Sequence, residues 1–255
     1  PTENDSLATM GSYELGDPAT TGGFGVPGPS SAERWRSVGL DRLTTRVLSL
    51  DVSASGLVVV SRLAAAQASV YADVTQRWSW VDGELRLEVA VEPSDGWTVT
   101  WPRVGVHLVL PAGYEEASWF GTGPGENYAD SRVAARVGRF SAPIDELTVP
   151  YAVPQETGHR AELRELVLTG AGLPEFVVTT DDGADGRPGF AVARHSAEQW
   201  AAASHQHELS APTATHLYVD IAQHGLGSRS CGPDVRPEAA LWPRALSGSL
   251  AFRVV

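Results

Sequence analysis

The feature that most constrains this chain is a period of two that sets in near residue 43. In "ELRLEVAVEP", Leu85, Leu87, Val89 and Val91 fall on one side of an extended backbone, with Glu84, Arg86 and Glu88 on the other. Successive strand side chains point to opposite faces, so this pattern marks a strand with one buried face. The same alternation runs through "RVGVHLVLP" (Val104, Val106, Leu108, Leu110), "THLYVDIAQ" (Leu217, Val219, Ile221) and "SLAFRVV" (Leu250, Phe252, Val254), with Gly, Pro and Asp turns between the runs. Half-buried strands joined by turns pair antiparallel and hide their apolar faces against a second sheet. The expected fold is therefore all-β, a large antiparallel β-sandwich. Two short helices interrupt it. Ser30 and Glu33 in "SSAERWRSVG" have capping-box spacing with Gly39 as a left-handed stop, and Ser196 with Gln199 caps "SAEQWAAAS". No repeat of propeller or solenoid period is present.

The 255 residues can bury about three-quarters of the surface of the unfolded chain, so a single domain over 1–255 is the expectation. Residues 6–31, rich in Gly, Pro, Ser and Thr, read as a long surface loop. A net charge of −12 and a pI near 5.0 oppose nucleic acid and anionic membranes and favour a neutral partner. No run approaches the roughly 20 apolar residues of a membrane span. "PTENDSLATM" has neither the basic region nor the apolar run of a signal peptide, so a cytoplasmic location is expected. The start on Pro-Thr without Met suggests a piece of something longer. One cysteine can form no internal disulfide, which leaves the redox compartment open.

Few constellations carry chemistry on their own. "HQH" places His205 and His207 on one side of an expected strand at a spacing that could ligate zinc, yet no third ligand follows at a recognisable spacing; a plain surface strand is the simpler reading. Cys231 lies in "GLGSRSCGP" with Arg229 nearby and His224 seven residues away. A nucleophilic thiolate needs a cationic or imidazole neighbour, and a small contact residue in a loop that lets a ligand approach its backbone is the simpler role. Glycoside hydrolysis needs two carboxylates held roughly 5–9.5 Å apart. "DDGAD" at 181–185 reads as a solvated turn, and Glu115 and Glu116 as structural. The eight Trp residues could form a sugar-stacking ring or ordinary core and edge packing.

Four ordered stretches carry a family likeness. "WFGTGPGENYADSRVAARVG" (119–138) resembles the W-x-G-x-G-P-x-E-N-Y-x-D-R segment of the C-terminal domain of large family 2 β-galactosidases. "YAVPQETGHRAELRELVLT" (151–169) is similar to their Y-x-x-P-Q-E-N-G-x-R stretch, and "DIAQHGLGSRSCGPDVRPE" (220–238) to D-x-x-x-x-G-L-G-S-x-S-C-G-P. "PTEND" (1–5) matches R-A-P-T-D-N-D without its first two residues, and "FAVARHSAEQWAAASHQHEL" fits the F-x-x-x-x-[HY]-S/T pattern between the others. The likeness covers essentially the whole chain. It implies a galactose-mutarotase-like supersandwich lying C-terminal to a TIM barrel that supplies the acid/base and nucleophile glutamates. On that implication the chain alone is inactive and holds no catalytic residue, metal or cofactor of its own. The parent would be a retaining β-galactosidase of lactose catabolism, with Mg²⁺ and Na⁺ bound by the barrel region. The partners implied are β-galactoside sugars, the barrel and other domains of the parent, and further copies in a homo-oligomer. The site residues implied are Cys231, Ser230, Arg229, Asn4 and Asp5. Cys231 becomes a subsite wall that leaves space where some relatives place the stacking face of Trp.

The sequence departs from that family in places. Arg229 stands where many Cys-type relatives carry an acid, reversing charge at the expected rim. The loop at 6–31 is longer than the family loop bordering the site and is either a lid or a segment that needs the barrel. Thr157 replaces the usual Asn of Q-E-N-G at an expected structural position. "PTEND" falls after the family's first strands, so an exposed sheet edge is expected, left to a second copy, a retained piece or a rearranged loop. Two other functions stay open. One is a free-standing carbohydrate-binding sandwich using aromatics such as Trp119. The other is an aldose 1-epimerase-like enzyme, which needs a paired His and Glu on the concave face.

Overall fold

The structure, a computed structural model, describes residues 12–14, 26–227 and 235–255. Within the expected 6–31 loop, β1 (Ser12–Glu14) pairs antiparallel with β2 (Val26–Gly28). Helix α1 (Ser31–Ser37) follows, its capping box closed in both directions: Glu33 N donates to Ser30 Oγ at 3.0 Å and Ser30 N to Glu33 Oε2 at 2.6 Å. Gly39, at φ 81°, takes the left-handed conformation just past its end.

The strands after it are β3 (Leu43–Ser53), β4 (Gly56–Ala65), β5 (Ala72–Val81), β6 (Glu84–Pro93), β7 (Arg103–Pro111), β8 (Glu116–Gly123), β9 (Arg136–Pro143), β10 (Glu165–Thr169), β11 (Phe176–Thr180), β12 (Gly189–Ala193), β13 (Ala214–Gln223) and β14 (Leu246–Val254), with α2 (Ala197–Ala202) between β12 and β13. All pairings are antiparallel. One sheet runs β3-β4-β5-β6-β14-β11-β10-β8-β9, and a second runs β12-β13-β7.

The two sheets face each other across one apolar core. Leu87, Val89 and Val91 of β6, Leu250 and Phe252 of β14, Val178 of β11, Leu166 and Leu168 of β10 and Trp119 of β8 meet Phe190, Val192, Leu217, Val219 and Ile221 from the small sheet. Burying a large aliphatic or aromatic side chain contributes about 1.5–3 kcal/mol, so this layer is the main source of stability. β12, whose residues are all buried, lies wholly in that layer. Three strands cannot cover nine, and the large sheet overhangs. Every residue of the edge strand β3 is exposed.

Two expectations change. "HQH" does not lie on a strand: Gln206–Glu208 form a 3-10 turn with His205 at its N-cap, where Glu208 Oε1 lies 3.2 Å from His205 Nδ1. The two imidazoles stack 5.4 Å apart, and the glutamate that answers the cap backbone makes this a turn motif. Trp119 is 3% exposed and donates from Nε1 to Thr122 O at 3.1 Å. It is core, so it offers no face to a sugar. Trp35, Trp101 and Trp200 are also buried, whereas Trp80 and Trp242 are exposed.

Candidate functional site

Three sequence stretches distant in the chain converge on one end of the sandwich. The turn after β8 is fastened to the segment before β10. Asn127 N donates to His159 O at 2.8 Å, and Asn127 Oδ1 accepts from Thr122 Oγ1 at 2.7 Å and from Ala161 N at 3.0 Å. Glu126 turns its carboxylate into the same segment, accepting from Gly158 N at 2.7 Å, Thr157 Oγ1 at 3.0 Å and Tyr151 Oη. Thr157 Oγ1 accepts in turn from Val149 N at 2.7 Å, so the threonine at this position is structural. Burial, reinforced by the Glu126 charge, raises the Tyr151 phenol. Arg160 crosses between the two segments, donating to Pro124 O, Leu147 O and Gly158 O at 2.8–3.1 Å with its guanidinium 4.9 Å above the Trp119 ring. Burial draws its pKa down to about 10.

The third stretch leaves β13 and is seized at once. Leu226 N and Gly227 N donate to the two oxygens of Asp130, at 3.1 and 2.8 Å, and Gly225 N donates to Ala239 O at 2.8 Å. The loop that begins at Gly225 is thus closed at its root, with its outgoing and returning limbs tied. Gly225 is needed for the close approach: a Cβ there would lie 2.6 Å from Asp130 Oδ2 and 2.9 Å from the Ala239 side chain. The imidazole of His224, the preceding residue, meets the Trp35 ring edge-on at 5.4 Å.

Beneath the root lies a charge cluster whose two carboxylates are buried. Arg103 of β7 reaches Glu156 Oε1 at 2.9 Å, and its Nε lies 3.3 Å from Asp220 Oδ1. Glu156 also accepts from Gln223 Nε2 at 3.0 Å. Glu156 and Asp220 are 5% and 2% exposed. Burial raises both carboxyls while Arg103 pulls them back, and Glu156 and Asp220 share that one cation. His159 Nε2 stands 3.9 Å from Asp220 Oδ2. Its Nδ1 bonds Asn127 O at 2.8 Å, and burial draws its pKa down to about 4. Asp220 Oδ2 has no hydrogen-bond partner among the described residues.

A cleft of about 640 Å³ opens on the same side of the small sheet, lined by Trp35, Arg103, His107, Glu198, Tyr218 and Asp220 among others. The His107 and Tyr218 rings stack at 4.2 Å, and His107 Nε2 lies 3.0 Å from His216 Nδ1. Burial lowers both imidazoles. Among the described residues no three His, Cys, Asp or Glu side chains gather to hold a metal ion. No helix of the described residues is long and apolar enough to cross a membrane.

Asn4, Asp5, Arg229, Ser230 and Cys231 all lie outside the described residues. What is described is the root on either side of that stretch, at Gly225, Leu226 and Gly227 and at Ala239. Asp130, Arg103, Glu156 and Asp220 were not singled out from the sequence, where each is an ordinary charge; the signal was only that three motif stretches each contribute one or more of their partners.

A family described as the β-galactosidase small chain matches residues 1–253. A β-galactosidase of Arthrobacter sp. (strain B7) is 46% identical over 254 residues, covering 99% of this chain and 25% of that protein. One from Vibrio cholerae is 34% identical over 231 residues, covering 87% and 21%. The chain therefore spans about a quarter of the length of these relatives. Among solved structures, a galactose mutarotase-like protein from Lactobacillus casei aligns with a TM-score of 0.43 at 13% identity, over 81% of this chain and 73% of that one.

Proposed function

The chain belongs to the β-galactosidase small-chain family, and on that premise we propose that it forms the substrate-mouth part of a glycoside hydrolase cleaving terminal β-D-galactosides such as lactose. In this reading the chemistry belongs to a barrel in the rest of the enzyme, where two glutamates act with retention and where Mg²⁺ and Na⁺ bind. The present chain contributes a wall. Cys231, with Ser230 and Arg229, borders the subsite for the leaving sugar, and Asn4 and Asp5 approach it from the other end of the chain.

The observation that carries this reading is the double grip of Asp130 on Leu226 and Gly227. A contact loop must be held in place if its residues are to select a substrate, and binding residues on loops depend on a rigid scaffold for their position. Here the scaffold is the mesh of buried Asn127 and Arg160 with half-buried Glu126, and the loop is fastened to it by one carboxylate.

The test is hydrolysis of a chromogenic β-galactoside. The purified chain should show no turnover. In the full-length enzyme, Cys231→Trp should shift KM for lactose more than for an aryl galactoside, because Trp fills the space met by the second sugar. Turnover by the purified chain that persists to homogeneity would overturn the assignment of chemistry to the barrel.

A second reading, aldose 1-epimerisation, is favoured by one observation: His107 and Glu198, an imidazole and a carboxylate, line the same cleft. Polarimetry of fresh α-galactose with the purified chain decides it, since acceleration that disappears in His107→Ala would support it and an unaltered rate would remove it.

A further inference from the structure

The charge cluster beside the cleft carries an inference that rests on neither reading of the function. Val219 and Ile221 of β13 point into the core, so Asp220 between them stands on the outer face of the small sheet. Register sets it between Gly189 of β12 and Gly105 of β7. Neither neighbour has a side chain. His159 packs into the space over Gly189, and Gly105 lines the cleft together with Asp220 itself. A Cβ on Gly105 would lie 2.8 Å from Asp220 Oδ1, so glycine there is what lets the carboxylate reach the cleft wall.

The carboxylate is short of a partner. Asp220 is 2% exposed, and its Oδ2 accepts no hydrogen bond among the described residues, although buried polar atoms are ordinarily satisfied. Positive charge is short as well. Glu156 and Asp220 both lean on Arg103, while His159, 3.9 Å from Asp220 Oδ2, has its pKa drawn down to about 4 and is neutral at pH 7. The two carboxylates and one guanidinium thus sum to a negative charge where a buried charge needs a partner. A hydroxyl group would answer Oδ2 and leave the charge, and an anion would answer neither. A protonated amine brings a positive charge and N–H donors together. The outer lining agrees with a cation, for the carboxylates of Asp41 and Glu198 stand there against the guanidinium of Arg36.

We propose that the cleft is a binding site for a small organic ammonium ion, its charged end at Asp220 and its apolar part along Ala32, Leu40, Ala201 and Ala202. These short apolar side chains line the cleft, and its volume of about 640 Å³ leaves room for more than the charged group.

Isothermal titration calorimetry with n-butylammonium chloride, at an ionic strength fixed with sodium chloride, tests this on the purified 255-residue chain and on the full-length enzyme. One saturable site per chain is expected in both. 1-Butanol and sodium butyrate, of the same length but neutral and anionic, should bind at least tenfold more weakly. Asp220→Asn, which keeps the shape and removes the charge, should weaken butylammonium at least tenfold. Ala201→Phe fills the cleft from an exposed position on α2. It should abolish binding while its far-UV circular dichroism and urea midpoint match the parent chain, so the test stands even where Asp220→Asn fails to fold. No saturable heat from the chain overturns the proposal, and so does a full-length enzyme whose cleft is covered and takes up no probe. Equal affinity for 1-butanol, or binding that survives Ala201→Phe, overturns it too.

Discussion

Asp130 and Gly225 stand so close that a single added methyl group at the glycine would lie 2.6 Å from the aspartate oxygen. That closeness lets one carboxylate take the backbone N–H groups of both Leu226 and Gly227. The sequence separation is large, so the contact fixes the root of a loop against a distant turn rather than shaping the loop locally.

Asp130→Asn should weaken the root without unfolding the protein. Hydrogen bonds to a charged acceptor are each worth about 1.5–3 kcal/mol, and the amide keeps one acceptor oxygen of two. Native-state hydrogen exchange should show the amides of Leu226 and Gly227 losing protection, with the β6 amides unchanged. Gly225→Ala should do the same by displacement, and unaltered protection in both variants would contradict the described grip.

Removing Arg103 should be among the most damaging single changes. Arg103→Met leaves Glu156 and Asp220 buried without their cation, a class of change that costs about 3–5 kcal/mol. The sign of its pH dependence is fixed by the raised carboxyls: a group that binds its proton more tightly when folded adds stability in acid and loses it as pH rises. The deficit of the variant measured by urea unfolding should therefore be larger at pH 7 than at pH 5.

His159 acts in the opposite sense. Its folded pKa of about 4 lies below the ordinary value of about 6.5, so below pH 6.5 the unfolded chain takes up a proton that the folded chain refuses. Stability from this group is complete above pH 6.5 and falls as pH drops toward 4, by at most about 3 kcal/mol at about 1.4 kcal/mol per unit. Subtracting urea curves of His159→Gln from those of the parent chain at pH 7 and pH 5 should reveal this slope.

Glu126→Ala strands two donors, those of Gly158 and Tyr151, while Thr157 Oγ1 keeps Val149 O as an acceptor at 3.4 Å. With about 1–3 kcal/mol for a buried unsatisfied group and water reaching the half-buried Tyr151, a loss of about 2–4 kcal/mol is expected. Tyr151→Phe, which removes one donor and leaves the acceptor satisfied, should cost about 1 kcal/mol. Thermal unfolding of the pair should preserve that order.

Local signals in the chain were faithful where local chemistry decides. Ser30 with Glu33 and Ser196 with Gln199 form capping boxes because all partners lie within one turn. The alternation in 84–93 and 246–254 marks strands because the period belongs to the backbone itself. Alternation does not say what will cover a face. β3 and β6 carry similar apolar residues, yet one lies under the small sheet and the other at the open edge, and that difference comes from strand order. "HQH" misled because two histidines two residues apart look alike on a strand and in a turn, whereas the Glu208 that closes the turn is read only with its cap. The Arg103, Glu156 and Asp220 cluster was invisible for a different reason: its members come from three distant segments, and burial, which gives the charges their meaning, is not written beside any of them.

The place of β14 has a consequence for how the molecule is made. This strand, residues 246–254, is inserted in the middle of the large sheet, between β6 and β11. Until it emerges from the ribosome, β3 to β6 and β8 to β11 are two separate half-sheets, each with an unsatisfied inner edge facing the other. Pairing across such long sequence separations is slow and leaves adhesive edges exposed meanwhile. A nascent chain stalled even ten residues short of Val254 is therefore a different physical object from the finished one: two halves without a keystone, and a natural client for a chaperone.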